Sequence, residues 1–444
     1  MTARLGCFAA CLSLIATPLL ADEWPQWLGP DRDASYHEQG VTTQVPKSGL
    51  PVKWRAPSAH GYAGPAVADG KVFHFEYEIT EGELTYSAGR PDELKGIERI
   101  RCLDAETGDE LWKHEYERDY RVSYGGGPRC TPTVDGDRVY TLGAMGDLKC
   151  LSTADGSVIW EKSYSDDYNA AVPIWGHSAH PLVDGDTLYC VVGGPGSEAV
   201  AFDKLTGEEK WKNLEPSGDG PGYCPPVIIR AGNQPQLLIW SPENLYALKP
   251  QSGEVIWSLP AKPSYGMSIM RPQKQDDKLY VSAIGGLSVL MQLKPDGSDV
   301  EVEWSGGASD SLQAANVTPI FTAEAIYGPD CQSSELVALN PEDGSRMWAT
   351  MQPTLGEGGR GRHGTVFLIR HTPSGKYFLF SEKGDLITAD LTPEAYTETG
   401  RQHVLEPTSS SFGRPVVWSC PAFAQQAMFA RNDKEIVCVD LSVQ

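Results

Sequence analysis

Short runs of alternating apolar and polar residues follow one another along most of the chain. Three successive examples are CTPTVD (130–135), DRVYTLG (137–143) and DLKCLS (147–152), and such runs end at Asp-Gly or similar turn pairs. Alternation with a period of two predicts strands that bury one face, and the turn pairs predict tight connections between them. No amphipathic stretch of helical length lies within the repeated units. The pattern therefore predicts antiparallel sheets of short strands.

An eleven-residue motif recurs among these runs without a gap. It has Cys or Ala first, Gly seventh and Trp eleventh, and its copies are CLDAETGDELW (102–112), CLSTADGSVIW (150–160), AFDKLTGEEKW (201–211), ALKPQSGEVIW (247–257) and ALNPEDGSRMW (338–348). The Gly is expected to take the positive φ of a turn. The Trp is expected to cover the neighbouring unit and to donate its N–H to a turn carbonyl. A repeat period in the forties with four short strands per unit predicts β-propeller blades.

Counting the units predicts an all-β, eight-bladed propeller with four-stranded antiparallel blades. Inner strands are expected to begin near Gly64, Thr131, His180, Pro225, Arg271, Thr318, Gly364 and Cys420. The last unit has only three strands, and the isolated strand PVKWRA around Trp54 is expected to complete it and close the ring. The tryptophans expected to join the blades are Trp54, Trp112, Trp160, Trp211, Trp257 and Trp348. The fifth copy is lengthened before Trp304, and the seventh has lost its Gly and carries Tyr396 in place of Trp.

The ends and the composition of the chain predict an exported protein. Residues 1–21 have one Arg, an apolar run and a final small residue, which predicts a signal peptide rather than a membrane span, with lipoprotein processing at Cys11 as the alternative. An N-terminal extension (22–50) and one propeller (51–444) follow, with an insertion near 76–98. The product is expected to be a soluble periplasmic or extracellular monomer without a transmembrane segment.

Charge and cysteine usage exclude some classes of partner. The net charge of −22 opposes binding to nucleic acid or anionic lipid, because phosphate binding requires clustered Lys and Arg. Cysteines at equivalent positions of different repeats, such as Cys102 and Cys150, exchange with Ala and are therefore expected to be buried free thiols.

The motif resembles the tryptophan-docking motif of quinoprotein-type eight-bladed propellers, Ala-x-Asp-x-x-Thr-Gly-x-x-x-Trp. The copy at 201–211 matches it closely, and the likeness covers nearly all of the chain after residue 21. The segment EWPQWLGPDRDASY (23–36) is also similar to the start of exported proteins with PQQ-binding-like repeats. This resemblance implies the fold; it implies no particular activity, because the motif is structural.

Three functions are compatible with the resemblance. The first is a non-catalytic binding or scaffold protein, like the outer-membrane assembly lipoprotein of this fold. The second is a quinoprotein oxidoreductase holding PQQ and Ca²⁺ over the central channel, although the adjacent Cys-Cys pair usual in those enzymes and a Cys-x-x-Cys-His haem motif are both missing. The third is a sensor or carrier of a small anionic ligand. The first is favoured, its partner being a protein or such a ligand, and no catalytic residue or metal ligand can be assigned.

The segments that lead into the inner strands concentrate cations and aromatic residues at one face. Arg side chains can pair with carboxylates and aromatic rings can stack on flat groups, so these segments predict a ligand site at the channel mouth. The alternative is that the Arg residues bond to neighbouring loop carbonyls and make the face rigid. The candidate ligand-binding residues are Arg129, His177, His180, Arg271, Arg362, His363, Arg414 and Trp418.

Overall fold

The computed structural model describes residues 22–218, 220–307 and 310–443. The predicted signal peptide, residues 1–21, lies outside them. The described chain consists almost entirely of strands and turns, with one α-helix, Tyr164–Tyr168, and one short 3-10 helix, Ser264–Gly266. No helix in this part of the chain is long and apolar enough to cross a membrane.

Eight sheets form the blades of a propeller, and each contains four antiparallel strands, which confirms the predicted fold class. From the inner to the outer strand, blades 1 to 4 are Ala66–Ala68, Lys71–Glu81, Asp92–Asp104 and Glu110–Glu117; Thr133–Asp135, Arg138–Leu142, Asp147–Ser152 and Val158–Ser163; Leu182–Asp184, Thr187–Gly194, Ser197–Asp203 and Glu209–Asn213; Val227–Ala231, Gln234–Trp240, Asn244–Leu248 and Val255–Pro260. Blades 5 to 8 are Gln273–Gln275, Lys278–Ala283, Leu287–Leu293 and Val300–Gly306; Ile320–Phe321, Ile326–Pro329, Leu336–Leu339 and Arg346–Thr350; Val366–His371, Lys376–Ser381, Asp385–Leu391 and Tyr396–His403; Ala422–Ala424, Ala427–Arg431, Glu435–Asp440 and Val52–Pro57.

Four further strands lie beside the blades. Ser35–Tyr36 pairs in parallel with the inner strand of blade 7, and Tyr120–Val122 pairs with the long third strand of blade 1. Ser409–Ser411 and Arg414–Val416 form a separate hairpin before blade 8. The strand Ser35–Tyr36 and the hairpin before blade 8 both lie near the place where the ring closes.

The N-terminal strand Val52–Pro57 pairs with Glu435–Asp440 and completes blade 8, as predicted. Blade 7 has Tyr396 where other blades have Trp, and the hydroxyl of Tyr396 donates to Glu398 of the same strand. At this seam Leu50 and Gln402 exchange two hydrogen bonds, 2.5 and 3.1 Å long. The N-terminal segment (residues 22–50) therefore contributes the contacts that a docking Trp makes at other seams.

The eleven-residue motif builds the turn between the third and fourth strands. In blade 1 a carboxylate oxygen of Asp104 accepts from the backbone N–H groups of Glu106 and Thr107, at 3.0 and 2.9 Å. Gly108 follows with φ of +76°, and a Cβ at this position would lie 2.6 Å from the Trp54 ring. Asp and Gly are therefore required by the turn and by the close approach of the indole.

Most docking tryptophans donate Nε1–H to a backbone carbonyl of the following blade. The pairs are Trp54 to Ala105 (2.9 Å), Trp112 to Thr153 (3.1 Å), Trp160 to Lys204 (3.1 Å), Trp211 to Pro250 (2.8 Å), Trp304 to Pro341 (2.9 Å) and Trp348 to Thr392 (2.8 Å). Trp304 makes this bond although the lengthened motif before it had left it out of the predicted set. The lengthened turn before Trp304 instead changes the contact made by Trp257, the docking tryptophan of the preceding blade.

Trp257 reaches the next blade through a glutamine. Its Nε1–H donates over 3.0 Å to the side-chain oxygen of Gln236, in its own blade, and the Gln236 amide donates over 2.6 Å to the carbonyl of Gly297 in blade 5. Gln236 is buried. The amide thus spans the gap where the turn of blade 5 is lengthened.

We expect Gln236→Leu to lower the free energy of unfolding by about 2 kcal/mol, because an N–H and a carbonyl would both lose their partner in a buried place. Urea unfolding followed by tryptophan fluorescence measures this change. The matched control is Gln39→Leu at an exposed glutamine, for which we expect little change. Equal unfolding midpoints for the two variants would contradict the bridging role.

The eight cysteines in the described residues are all free, and only Cys420 is not fully buried. Burial raises the pKa of the Cys102 thiol to about 12. These thiols are therefore protonated packing groups, which confirms the interpretation of the Ala-to-Cys exchanges.

Candidate functional site

A cavity of about 860 Å³ lies at the mouth of the central channel. Each of the eight segments that lead into an inner strand contributes to its wall, so the cavity lies on the propeller axis. In the order of blades 1 to 8, residues from these segments include Tyr62, Arg129, His180, Tyr223, Tyr265, Asn316, His363 and Trp418. The cavity has the size of sites that hold small-molecule ligands.

The N-terminal segment supplies part of the cavity wall. Trp24 pairs with Val67 of the blade 1 inner strand, and the Arg32 guanidinium donates to the carbonyls of His180 and Pro181, at 3.1 and 2.9 Å. Between them, Trp27 stacks on the His180 ring with centroids 4.6 Å apart and lines the cavity. Residues 24–32 therefore tie blades 1 and 3 together beneath the ligand space.

The insertion in blade 1 also reaches the cavity. Its loop, residues 82–91, connects the two longest strands of that blade and places Ala88 and Gly89 in the wall. Trp175, from the segment before blade 3, donates Nε1–H to the Ala88 carbonyl over 2.9 Å. This bond joins the loop to another part of the wall.

Four aromatic residues in the wall have left-handed backbone conformations. Their φ angles are +50° for Tyr124, +61° for Tyr265, +57° for His363 and +48° for Phe412. Such conformations are costly for bulky side chains, by roughly 1 to 3 kcal/mol each, and are concentrated in proteins at binding and active sites. Two of these rings are displayed, since Tyr265 is 74% exposed and Phe412 51% exposed, whereas Tyr124 and His363 are partly buried.

Two of the predicted arginines hold these strained residues in place. Arg129 donates to the carbonyls of Ser123 and Tyr124, at 3.0 and 2.5 Å, and lies over the Tyr62 ring. Arg414 donates over 2.9 Å to the carbonyl of His363 and pairs with the buried carboxylate of Glu382. Both arginines thus make the rigidifying contacts that the sequence had left as the alternative to ligand binding.

Other donors in the wall keep free hydrogen-bonding capacity. Arg362 is exposed, and its guanidinium has no hydrogen bond or ion pair with the described residues. The Nδ1 of His180 accepts from the backbone N–H of Thr131 over 3.0 Å, so the neutral ring carries its proton on Nε2. That Nε2–H is left to donate into the cavity, which His180 lines. The buried Nε1 of Trp418, another lining residue, has no acceptor in the described part of the protein.

The two histidines of the wall are neutral at pH 7. Burial, with Arg414 and Arg362 nearby, lowers the pKa of His363 to about 4. Burial, with Arg32 nearby, holds the pKa of His180 well below its usual range. The positive charge of the cavity therefore comes from Arg129 and Arg362.

Five of the eight predicted ligand residues line the cavity, and three do not. Arg129, His180, Arg362, His363 and Trp418 are in the wall. His177 is buried with its ring edge against Tyr164, Arg414 bonds to loops behind the wall, and Arg271 lies outside the wall, where burial lowers its pKa. The segments named from the sequence do meet at one face, around the cavity, but the sequence could not separate lining from supporting side chains. Ligand binding at this face stays a prediction.

Several lining aromatic residues were not among the predicted site residues, although a sequence signal for them exists. Tyr265, Phe412 and Trp175 each directly precede a glycine in these segments, as do Tyr124 and His363. An aromatic-Gly pair at a strand entrance, repeated around a propeller, is a usable pattern for such a wall. Trp27 carries no such signal.

The wall does not fit a quinone held by calcium. Calcium takes oxygen ligands, chiefly carboxylates, yet the described residues that line the cavity include no Asp or Glu. The amide of Asn316 is engaged with Thr365 at 3.2 Å. Within the described residues there is also no group of three or more His, Cys, Asp or Glu side chains placed to hold a metal ion.

Known proteins share this architecture. BamB from Moraxella catarrhalis superposes with a TM-score of 0.56 at 13% identity, covering 89% of this chain and 98% of that one. The quinohemoprotein alcohol dehydrogenase from Comamonas testosteroni has a TM-score of 0.58 at 12% identity, covering 95% and 81%. Identities this low show the fold alone. No curated protein matches the sequence.

The sequence itself matches a family over residues 97–350, more than half of the chain. The matched residues run from the third strand of blade 1 to the outer strand of blade 6. They include six docking tryptophans, five that bond directly to the next blade and Trp257, which does so through Gln236. The resemblance inferred from the repeated motif is thereby confirmed. The chain belongs to the PQQ-repeat family described as outer membrane protein assembly factor BamB.

Proposed function

We propose that this protein is an exported, non-catalytic binding protein that holds an aromatic group of its ligand or partner in the channel-mouth cavity. The observation that carries the proposal is the set of four aromatic residues with positive φ around one cavity. Other residues of the chain also have positive φ, but these four are aromatic and meet at one cavity. Such strain adds nothing to stability, so a binding role accounts for the arrangement.

Two further observations support binding over catalysis. The described residues of the wall include no carboxylate, and the wall histidines are neutral and too weakly basic to accept a proton near pH 7, so groups for general acid–base chemistry are scarce there. The family is named for an assembly factor, which favours a partner-binding role in the periplasm or at the outer membrane for this chain as well.

The double variant Tyr265→Ala/Phe412→Ala is expected to weaken binding of the neutral aromatic dye Nile red by about thirtyfold, because each displayed ring supplies about 1 kcal/mol of stacking and the two together about 2 kcal/mol. Both side chains are largely exposed, so the change should leave the unfolding midpoint nearly unchanged. Fluorescence titration of the protein produced from residue 22 onwards measures the affinity.

The matched control is Leu205→Ala, at an exposed apolar residue in a turn at the opposite end of blade 3, which should leave the affinity unchanged. Failure of the wild-type protein to bind the dye, or equal affinities for wild type and the double variant, would contradict the proposal. Dye-linked oxidation of an alcohol by protein supplied with PQQ and Ca²⁺ would contradict its non-catalytic part.

A further inference from the structure

We propose that the cavity binds a flat aromatic carboxylate without a metal ion. This inference rests on the proposed function and names the chemical class of the ligand. It also departs from the calcium-held quinone of enzymes with this fold, because the side chains in this wall are suited to an anion directly.

The charges in the wall favour an anion. Among the described lining residues the ionised side chains are Arg129 and Arg362, and none is acidic, in a chain whose net charge is −22. Arg129 is already bonded to three backbone carbonyls, whereas Arg362 is free. An exposed, uncommitted guanidinium can form two parallel hydrogen bonds with a carboxylate.

The hydrogen-bonding groups of the wall favour a ligand that accepts hydrogen bonds. The Nδ1 of His180 accepts from Thr131, so the Nε2–H of this lining residue is left to donate to a ligand. The buried Nε1–H of Trp418 is a donor without an acceptor in the described part of the protein. Sugars present many hydroxyl donors and are usually met by carboxylates, and none stands among the described lining residues. A cationic ligand would meet Arg362 without compensation.

The order of the blades places the donors at different sides of the ring. Arg362 leads into blade 7 and His180 into blade 3, which are four blades apart and therefore face each other across the axis of an eight-bladed ring. The stacked pairs Trp27–His180 and His363–Phe412 lie beside these two donors, with centroids 4.6 Å apart in each. A ligand with a flat ring system can stack on these aromatic pairs, and a carboxylate at one side of it can pair with Arg362.

The test compares two probes of equal size by isothermal titration in EDTA: 2-naphthoate, and the neutral 2-naphthylmethanol. We expect 2-naphthoate to bind about tenfold more tightly, as one charge-assisted hydrogen-bonding pair implies. The Arg362→Gln variant should lose this preference. Replacing EDTA by Ca²⁺ should leave both affinities unchanged.

The chain offers a matched control in the same loop. Arg360 is exposed and does not line the cavity, so Arg360→Gln should keep the full preference for the carboxylate. Equal affinities of the two probes, loss of preference in both variants, or 2-naphthoate binding only with Ca²⁺ would each overturn the inference. If Nile red still binds in such a case, the proposed function stands and only the ligand class is wrong; if nothing binds, both fail.

Discussion

Trp54→Ala is expected to lower the free energy of unfolding by about 3 to 5 kcal/mol, the usual cost of removing a large buried aromatic side chain. Trp54 is 8% exposed, lies against Gly108 and donates to the carbonyl of Ala105. It is one of the contacts that hold blade 8, completed by the N-terminal strand, to blade 1; Arg431 of blade 8 also donates to the carbonyl of Phe75 in blade 1. Its loss would therefore weaken the closure of the ring. Urea unfolding followed by circular dichroism measures the change.

Two control variants separate the parts of this contact. Trp54→Phe keeps most of the packing and loses the N–H, so it should cost about 1 kcal/mol, the value of one hydrogen bond, plus a small loss of packing. Tyr396→Phe, at the equivalent place in blade 7, removes only a bond to Glu398 of the same strand and should cost less than either. A Trp54→Ala protein as stable as Tyr396→Phe would show that the docking contact does not stabilise the ring.

Lowering the pH from 6.5 towards 4 is expected to destabilise the protein by several kcal/mol. Burial, with Arg431 nearby, lowers the pKa of His74 to about 4 and outweighs the opposing effect of Glu76. Burial alone lowers the pKa of His177 to about 4, and His180 and His363 are lowered as described above.

The sign follows from proton uptake. In this pH range the unfolded chain binds protons at histidines with a pKa near 6.5, while the folded protein keeps these rings neutral, so stability rises with pH between about 4 and 6.5. Each unit of pKa difference corresponds to about 1.4 kcal/mol, so four such rings give a total on the order of several kcal/mol. His403, whose pKa is raised because Asp385 and Glu406 outweigh its partial burial, opposes this trend. So do Glu98, Glu198 and Asp147, because burial raises the pKa of these carboxyls.

Urea midpoints at pH 7.5, 6.0, 5.0 and 4.5 measure the effect. His177→Phe should make the dependence on pH shallower, because the ring packs by its edge against Tyr164 and burial is the sole cause of its lowered pKa. A midpoint that does not fall between pH 6.5 and 4.5, or an unchanged slope in the variant, would contradict the assignment of the buried neutral histidines.

The spacing of the motif carries nearly all the information about the architecture. A turn with Gly and Trp at set positions is a local structure, so each copy specifies one blade whatever lies around it. Counting the repeated units by their inner strands then predicts eight blades, and the unpaired strand at Trp54 predicts the closure, because an open ring would leave two free sheet edges. The bridge that Gln236 forms between Trp257 and Gly297 could not be predicted, because nothing in the local sequence links Gln236 to the lengthened turn of blade 5.

The side chains that line the cavity could be identified only from the tertiary structure, because their contacts are not local in sequence. The segments before the inner strands show that Arg and aromatic residues meet at one face, but each side chain there finds its partner far away in sequence. Arg414 is committed to Glu382 and the His363 carbonyl, while Arg362, the residue directly before His363, has no hydrogen bond or ion pair with the described residues. Trp27 joins the wall because Arg32 bonds to the carbonyls before blade 3.

The sequence by itself thus determined the propeller, its blade number, its closure and the face that carries the site, because these depend on local turns repeated at a constant period. Only the tertiary structure decided which arginines support the wall and which one is available to a ligand, and which tautomer His180 adopts. Those properties depend on hydrogen-bond partners brought together by closing the ring, and no local pattern in the chain encodes them.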